Sequence, residues 1–149
     1  MKRPIVILSG GFDPIHEGHV AMIKDASAIG DVLVILNSDR WLKEKKGAYF
    51  MDLLQRAAVV GNMRGVEYVW HTQTRDSVAA DLEKIKADDE FSGRTIIFGN
   101  GGDRVHANMP VEELEVCDKL GIFTIFGLGA NNGQSSSKLL NRWVEISKV

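Results

Sequence analysis

The chain alternates short apolar runs with segments of helical spacing, and this alternation is the feature that most limits its fold. The apolar runs are mostly β-branched and nearly continuous, and they cover residues 5–8, 32–36, 66–70, 95–98 and 122–126. Runs of this kind are typical of strands that are buried on both faces of a sheet. We therefore expect five short strands with a covering layer on each side.

The segments between the runs have the apolar spacing of helices and cover residues 17–29, 52–63, 76–87 and 111–120. Asp52 and Asp76 are candidate N-caps, and a last helix is expected to start at the serine run 135–137. Strands that alternate with helices through right-handed crossovers predict an α/β fold. We expect a Rossmann-like, doubly wound, five-stranded parallel sheet of order 3-2-1-4-5, in a single domain over residues 1–149.

The first loop carries the densest chemical signal, because the first strand leads directly into Gly10 and Gly11 and a helix follows near His19. Paired glycines allow the backbone to approach a ligand, and a helix N-terminus attracts an anion. His16 and His19 could both contact one phosphate there. A capping His16 with a packed His19 is the alternative, but two histidines beside a glycine pair favour phosphate chemistry. Zinc ligation is weaker, because no third ligand is evident and there is one cysteine.

A basic cluster follows the second strand, in a segment that we expect to be a loop over the same sheet edge. It contains Lys43, Lys45 and Lys46, with Arg40 close by. Flexible ammonium groups suit a departing pyrophosphate, and we single out Lys46. A solvated surface turn is the alternative for such a charge run.

Three further groups are candidate phosphate or nucleotide ligands. Ser135, Ser136 and Ser137 open the last helix, where hydroxyls and free N–H groups can bind phosphates or simply cap the helix. Arg56, among apolar neighbours, is either a snorkelling surface side chain or an indirect phosphate ligand. Glycines recur after the fourth strand, at Gly99, Gly101 and Gly102 with Asp103, and should reach the same edge.

Composition excludes several classes of protein. The net charge of −2 gives no general attraction to nucleic acid or to a membrane surface. No apolar run approaches the roughly 20 residues that span a bilayer, and the N-terminus lacks a signal-peptide pattern. A lone cysteine, Cys117, is expected to be a buried hydrophobe, and it indicates a reducing, cytoplasmic compartment.

Taken in order, these motifs resemble the nucleotidyltransferase superfamily with the H-x-G-H signature, in its cytidylyltransferase-like branch. Residues 10–19 match the pattern G-x-F-D-x-x-H-x-G-H almost letter for letter. Family members also carry a basic loop after the second strand, an arginine in the next helix, a glycine-aspartate loop and a serine- or threonine-rich start of the last helix. The resemblance extends over nearly the whole chain.

The resemblance implies that an acceptor phosphate attacks the α-phosphate of a nucleoside triphosphate and that pyrophosphate leaves with the help of Mg²⁺. His16, His19 and the Phe12 backbone N–H would stabilise the α-phosphate. Lys43 or Lys46 and the serines would hold the β- and γ-phosphates. The remaining nucleotide contacts would come from the residues of the first loop, from the arginine and from the glycine-aspartate loop: Gly10, Gly11, Asp13, Arg56, Gly99, Gly101, Gly102 and Asp103. Related enzymes also suggest a homodimer.

The motifs define the type of reaction more closely than they define the substrates. We expect a CTP-using enzyme acting on a sugar or polyol phosphate, similar to glycerol-3-phosphate cytidylyltransferase. The alternative is an ATP-using enzyme similar to the adenylyltransferase domain of heptose-phosphate enzymes. Trp70, His71 and Arg104 are candidate acceptor contacts. A nucleotide-binding module without catalysis and a hydrolase are the rival classes.

Overall fold

The computed structural model describes residues 2–74, 76–102, 104–129 and 135–148. Its five strands are β1 (Ile5–Gly10), β2 (Asp31–Leu36), β3 (Val66–His71), β4 (Ile96–Gly101) and β5 (Phe123–Leu128). Its helices are α1 (Glu17–Ile29), α2 (Asp39–Lys46), α3 (Leu53–Gly61), α4 (Ala79–Ala87), α5 (Val111–Leu120) and α6 (Ser136–Ser147). Single 3₁₀ turns cover Asp89–Phe91 and His106–Asn108.

The strands form one parallel sheet in the order β3-β2-β1-β4-β5, which confirms the predicted fold class. Alternate residues of the central strand point to opposite faces of the sheet. Val6 and Leu8 pack in a core with residues of α1 and α3, whereas Ile5 and Ile7 pack in a second core with residues of α4 and α5. The sheet is therefore covered on both faces, as the continuous apolar runs predicted.

The carboxyl ends of the strands meet at one edge, as parallel pairing requires. Gly10 is in register with Leu36, Leu36 with His71, and Gly101 with Leu128. The loops that follow these residues therefore gather at a single edge of the sheet. This edge is where ligands bind in doubly wound folds.

Two helix predictions need correction. The basic cluster is not in a loop, because residues 39–46 form helix α2, which Ser38 caps by accepting the Trp41 N–H at 3.0 Å. Asp76 does not start the fourth helix, which begins at Ala79 without a side-chain cap. Asp52 is confirmed as an N-cap, since its Oδ1 accepts the Gln55 N–H at 2.9 Å.

Cys117 lies on α5 and is buried, as predicted. Burial, and secondarily the charge of Glu113, raises the pKa of its thiol to about 11. The thiol is therefore protonated at neutral pH, and it is inert as a nucleophile. Among the described helices, none is long and apolar enough to cross a membrane.

Candidate functional site

The two histidines of the first loop fix each other at the start of α1. The His16 Nδ1 accepts the Gly18 N–H at 3.0 Å, and the His19 Nδ1 accepts the His16 N–H at 3.1 Å. A neutral imidazole carries one proton, so an Nδ1 that accepts leaves the proton on Nε2. Both neutral rings therefore present an Nε2–H donor.

Burial keeps these rings neutral. Burial, together with smaller contributions from His16 and Lys46, lowers the pKa of His19 to about 3. Burial also lowers the pKa of His16, an effect that Glu17 opposes and Lys46 reinforces. The two ring centroids are 3.9 Å apart, and the ring of Phe12 lies 4.4 Å from that of His19. The pair is thus a set of neutral, closely stacked hydrogen-bond donors.

Phe12 and Asp13 shape the backbone between the strand and the histidines. Phe12 is buried and has a φ of +53°, a left-handed conformation that is costly for an aromatic residue and that occurs preferentially at functional sites. The Asp13 carboxylate accepts the N–H groups of Phe50 and Met51, each at 2.7 Å. Asp13 therefore holds the segment before α3 against the first loop, and both of its oxygens have protein partners.

Arg56 is fully buried, so the interpretation as a snorkelling surface side chain is wrong. Its guanidinium donates to the carbonyl oxygens of Gly11 at 2.9 Å, Asn37 at 2.7 Å and Met51 at 3.0 Å. It also pairs with Asp39 Oδ1 at 2.8 Å. Arg56 thus ties together the loops that follow β1 and β2, and it acts on any ligand through the backbone that it positions.

Two lysines of α2 lie near different parts of the site: Lys46 near the histidines and Lys45 at a cavity. Lys43, Lys45 and Lys46 are all exposed in the last turns of the helix. Lys46 is close enough to the histidines for its charge to lower the pKa of each ring. Lys45 lies with its Nζ 5.7 Å from the centre of the Trp41 ring and lines a cavity on the other side of the first loop.

The serine run opens α6 and meets the first loop. The Ser135 Oγ accepts the Lys138 N–H at 3.1 Å and caps the helix. The buried Ser136 donates to the Pro14 carbonyl oxygen at 2.8 Å, and Ser137 is exposed. The structure therefore brings the start of α6 to the histidine loop, as the sequence predicted.

Gly99 and Gly101 were expected in a loop, but they lie in the last residues of β4 and have packing roles. A Cβ at Gly99 would lie 2.7 Å from Leu128, and a Cβ at Gly101 would lie 2.7 Å from the Met22 sulfur. A Cβ at Gly101 would also lie 2.8 Å from the Leu128 carbonyl oxygen, so the backbone of β5 favours glycine there, whereas the close atoms at Gly99 belong to side chains. Gly102 is exposed, and Asp103 lies outside the described residues. Their proposed contacts with the nucleotide remain predictions.

A cavity of about 630 Å³ lies on the α4–α5 side of the same sheet edge. The end of β1, the start of α2 and the segments before α4 and α5 form its walls. Ser9, Asn37, Ser77 and Arg104 are among its lining residues. Of the three candidate acceptor contacts, Arg104 lines this cavity, whereas Trp70 and His71 are not among the described residues that do so.

One cavity wall is held by a buried carboxylate that sequence reasoning missed. Asp81 accepts hydrogen bonds from the Trp70 Nε1 at 3.1 Å, from the Thr72 hydroxyl at 2.5 Å and from the Thr74 hydroxyl at 3.2 Å. Trp70 therefore anchors α4 instead of facing the cavity. The network fixes the segment between β3 and α4, including Thr74, which lines the cavity.

A family model described as cytidylyltransferase-like matches residues 7–139. The bifunctional protein HldE of Pasteurella multocida (strain Pm70) is 31% identical over 111 residues, which are 66% of this chain and 23% of that protein. The ethanolamine-phosphate cytidylyltransferase of Dictyostelium discoideum is 40% identical over 68 residues, which are 44% of this chain and 19% of that protein. The chain thus matches about a quarter or less of the length of these relatives.

Two solved structures share the fold. A lipopolysaccharide core biosynthesis protein from Thermoplasma volcanium GSS1 superposes with a TM-score of 0.64 at 21% identity, over 84% of this chain and 94% of that one. A putative nicotinate-nucleotide adenylyltransferase from Vibrio parahaemolyticus gives a TM-score of 0.67 at 19% identity, over 97% of this chain and 88% of that one. At such identities the likeness concerns the fold alone.

Proposed function

The chain belongs to the cytidylyltransferase-like family, and on that premise we propose that it transfers a nucleoside monophosphate from a nucleoside triphosphate to a phosphorylated acceptor. The observation that carries this proposal is the pair of neutral Nε2–H donors that His16 and His19 present at the N-terminus of α1. Donors fixed in advance are what a transition state with growing negative charge requires.

In the proposed reaction an oxygen of the acceptor phosphate attacks the α-phosphorus, and the bond from that phosphorus to the bridging oxygen of pyrophosphate breaks. Negative charge gathers on the α-phosphate oxygens as the two bonds exchange. His16, His19 and the Phe12 N–H would donate to these oxygens. No group needs to form a covalent intermediate, so catalysis consists of positioning and charge stabilisation.

The triphosphate tail would lie between the end of α2 and the start of α6. Lys46 is the nearer cation to the histidines, and Lys43 on the same helix is its possible companion. Ser135 and Ser137 would add hydroxyl contacts at a helix N-terminus, where an anion is favoured. The loop of Gly99–Gly102 with Asp103 is the proposed neighbour of the base or ribose.

Mg²⁺ is proposed to arrive with the triphosphate. No group of three or more His, Cys, Asp or Glu side chains that could hold a metal ion occurs among the described residues. The Asp13 carboxylate of the first loop already accepts two backbone N–H groups. Mg²⁺ that reaches protein sites bound to substrate phosphates needs few protein ligands, and it would neutralise charge on the leaving pyrophosphate.

The acceptor would occupy the cavity on the other side of the first loop. Gly10 contributes to both regions, since it ends β1 beside the histidine loop and also lines the cavity. Arg104 and Lys45 are the cations for the acceptor phosphate among the described lining residues, which also include the acidic residues Glu44, Asp76 and Glu113. An acceptor held there would face the α-phosphate across the glycine pair.

CTP with a sugar or polyol phosphate is the substrate pair that we propose first. An ATP-using reaction on a heptose-type sugar phosphate is the alternative, favoured by the similarity to HldE over 66% of this chain. A homodimer is a further proposal, which sedimentation velocity would test.

The decisive experiment incubates the protein with CTP or ATP, Mg²⁺ and single candidate acceptors, and measures pyrophosphate release. The proposal predicts release that depends on the acceptor. Triphosphate binding without release with any acceptor would favour a binding module, and release of equal rate without an acceptor would indicate a hydrolase. Thermal shift with each triphosphate identifies the preferred base, because a ligand of the folded state raises the melting temperature.

A further inference from the structure

The cavity contains a buried carboxylate oxygen that the protein leaves without a hydrogen bond. Glu113 lies in the first turns of α5, and its side chain is 5% exposed. Its Oε2 accepts the Val78 N–H at 3.1 Å, whereas its Oε1 has no hydrogen-bond partner among the described residues. Glu113 is also one of the residues that line the cavity.

Such an oxygen is costly for the folded protein. A buried polar atom that loses its water without gaining a partner destabilises the folded state, more so when it carries charge. The Arg104 guanidinium stands 3.7 Å away, which is within ion-pair range but beyond a hydrogen bond. The Arg104 side chain is 41% exposed, so solvent weakens its electrostatic attraction to the buried Glu113 carboxylate.

We propose that Glu113 is a specificity-determining residue whose Oε1 accepts a hydrogen bond from a hydroxyl group of the acceptor, while Arg104 binds the acceptor phosphate. The acceptor class that follows is a polyhydroxylated phosphate, a sugar or polyol phosphate. This inference rests on the proposed function, and it names the group that would recognise the acceptor.

Two observations favour a hydroxyl over an ammonium group as the donor. The other polar groups on the cavity wall include Ser9, Asn37, Thr74 and Ser77, whose hydroxyl and amide groups match several sugar hydroxyls. The volume of about 630 Å³ is also within the range of pockets that enclose ligands well beyond the size of a two-carbon amino alcohol phosphate.

The test combines one variant with a matched pair of probes. Glu113→Gln keeps an oxygen for the Val78 N–H and removes the charge at the unpartnered position. Mannose 1-phosphate supplies phosphate and hydroxyl groups, whereas ethyl phosphate supplies the phosphate alone. Calorimetric titration of each probe gives its Kd for both proteins, and thermal unfolding shows that both are folded.

The expected result is selective. The original chain binds mannose 1-phosphate at least about 10-fold more tightly than ethyl phosphate, and Glu113→Gln removes most of this preference without weakening ethyl phosphate. Glu112→Gln, the same change at the neighbouring exposed position, should leave both affinities unchanged. Thermal unfolding of the free Glu113→Gln protein serves only to check that it is folded, because the change replaces a buried unpartnered oxygen with an NH2 group beside Arg104.

Three results would overturn the inference. Equal binding of the two probes by the original chain would remove the hydroxyl contact. An equal loss for both probes in Glu113→Gln would indicate a structural role. Tighter binding of ethanolamine phosphate than of mannose 1-phosphate would assign the contact to an ammonium group. Because these are binding measurements without triphosphate, they stand apart from pyrophosphate release, whose absence would contradict the proposed function instead.

Discussion

The two sides of the sheet edge differ in how far the protein satisfies its own polar groups. On the histidine side, each Nδ1 accepts a backbone N–H and both Asp13 oxygens are occupied. On the cavity side, Glu113 Oε1 is buried and has no hydrogen-bond partner in the described part of the chain. A satisfied network fixes its groups before a ligand arrives, which suits stabilisation of a transition state. An unsatisfied group gains its partner only from a ligand, which suits selection of a substrate.

Arg56 connects the two sides, and its removal should give the largest effect. Arg56→Met withdraws four hydrogen bonds, including those to the partly buried carbonyl oxygens of Gly11 and Asn37. We expect the free energy of unfolding to fall by about 3–5 kcal/mol, as when one member of a buried charged network is lost. Urea unfolding measures this change directly.

Arg40 offers the matched control for that variant. It lies on α2, is 71% exposed and pairs with Glu44 at 3.1 Å one helical turn away. Arg40→Met should change stability by less than about 0.5 kcal/mol, because exposed pairs of this spacing contribute little. Equal losses of unfolding free energy in the two variants would contradict the inference that Arg56 holds the loops after β1 and β2 together.

His19→Ala should affect the chemical step at the histidines without affecting acceptor binding in the cavity. Loss of the Nε2–H donor is expected to lower kcat by about 100-fold or more, since the donor acts on charge that forms in the transition state. The KM for the acceptor should stay nearly unchanged, because the histidine lies outside the cavity. Steady-state pyrophosphate release with varied acceptor gives both constants.

The same variant also loses the acceptor of the His16 N–H, which should lower stability by about 1 kcal/mol. The assay must therefore be run well below the melting temperature. A near-normal kcat in the folded variant would remove His19 from the catalytic role.

The difference between the sides also explains what the sequence could predict. The histidine loop is a nearly continuous segment, from Gly10 to His19, so its residue types and their spacing are enough to recognise it in the sequence. The alternation of apolar runs likewise predicted a parallel sheet that is covered on both faces. The cavity combines residues from Ser9 to Glu113, and an acidic residue near a helix start ordinarily signals helix stabilisation alone. Gly10, Lys45 and Arg104 line the cavity and had been singled out from the sequence, but of these only Arg104 had been predicted as an acceptor contact.

Lys45 and Lys46 allow a finer test, because adjacent residues of identical charge face opposite sides. Lys46→Ala should raise the KM for the triphosphate by about 10-fold, as expected for one lost charge-assisted contact, with little change for the acceptor. Lys45→Ala should show the reverse, because Lys45 lines the cavity. Each variant is the control of the other. If each variant changes the KM for the triphosphate and for the acceptor equally, the two substrates do not bind at separate sides of the first loop.

The pH dependence of stability gives the smallest effect and isolates the histidine side. Burial lowers the pKa of His19 from its ordinary value of 6.5 to about 3 in the folded protein. Between these values the unfolded chain binds a proton that the folded protein does not, so stability falls as pH drops. From pH 7.5 to pH 6.0, the His19 contribution to this loss should be about 1 kcal/mol.

His19→Gln removes the titrating group while keeping a polar side chain, so its stability should fall less over the same pH interval. His71→Gln is the control, because it makes the same substitution at an exposed position at the end of β3. Urea unfolding at the two pH values measures all three proteins. If the stability of His19→Gln depends on pH as steeply as that of the unchanged protein, the His19 ring is not held neutral. The donors of the proposed reaction would then be charged, and the histidine loop would no longer be a site that is fixed in its neutral form before a ligand binds.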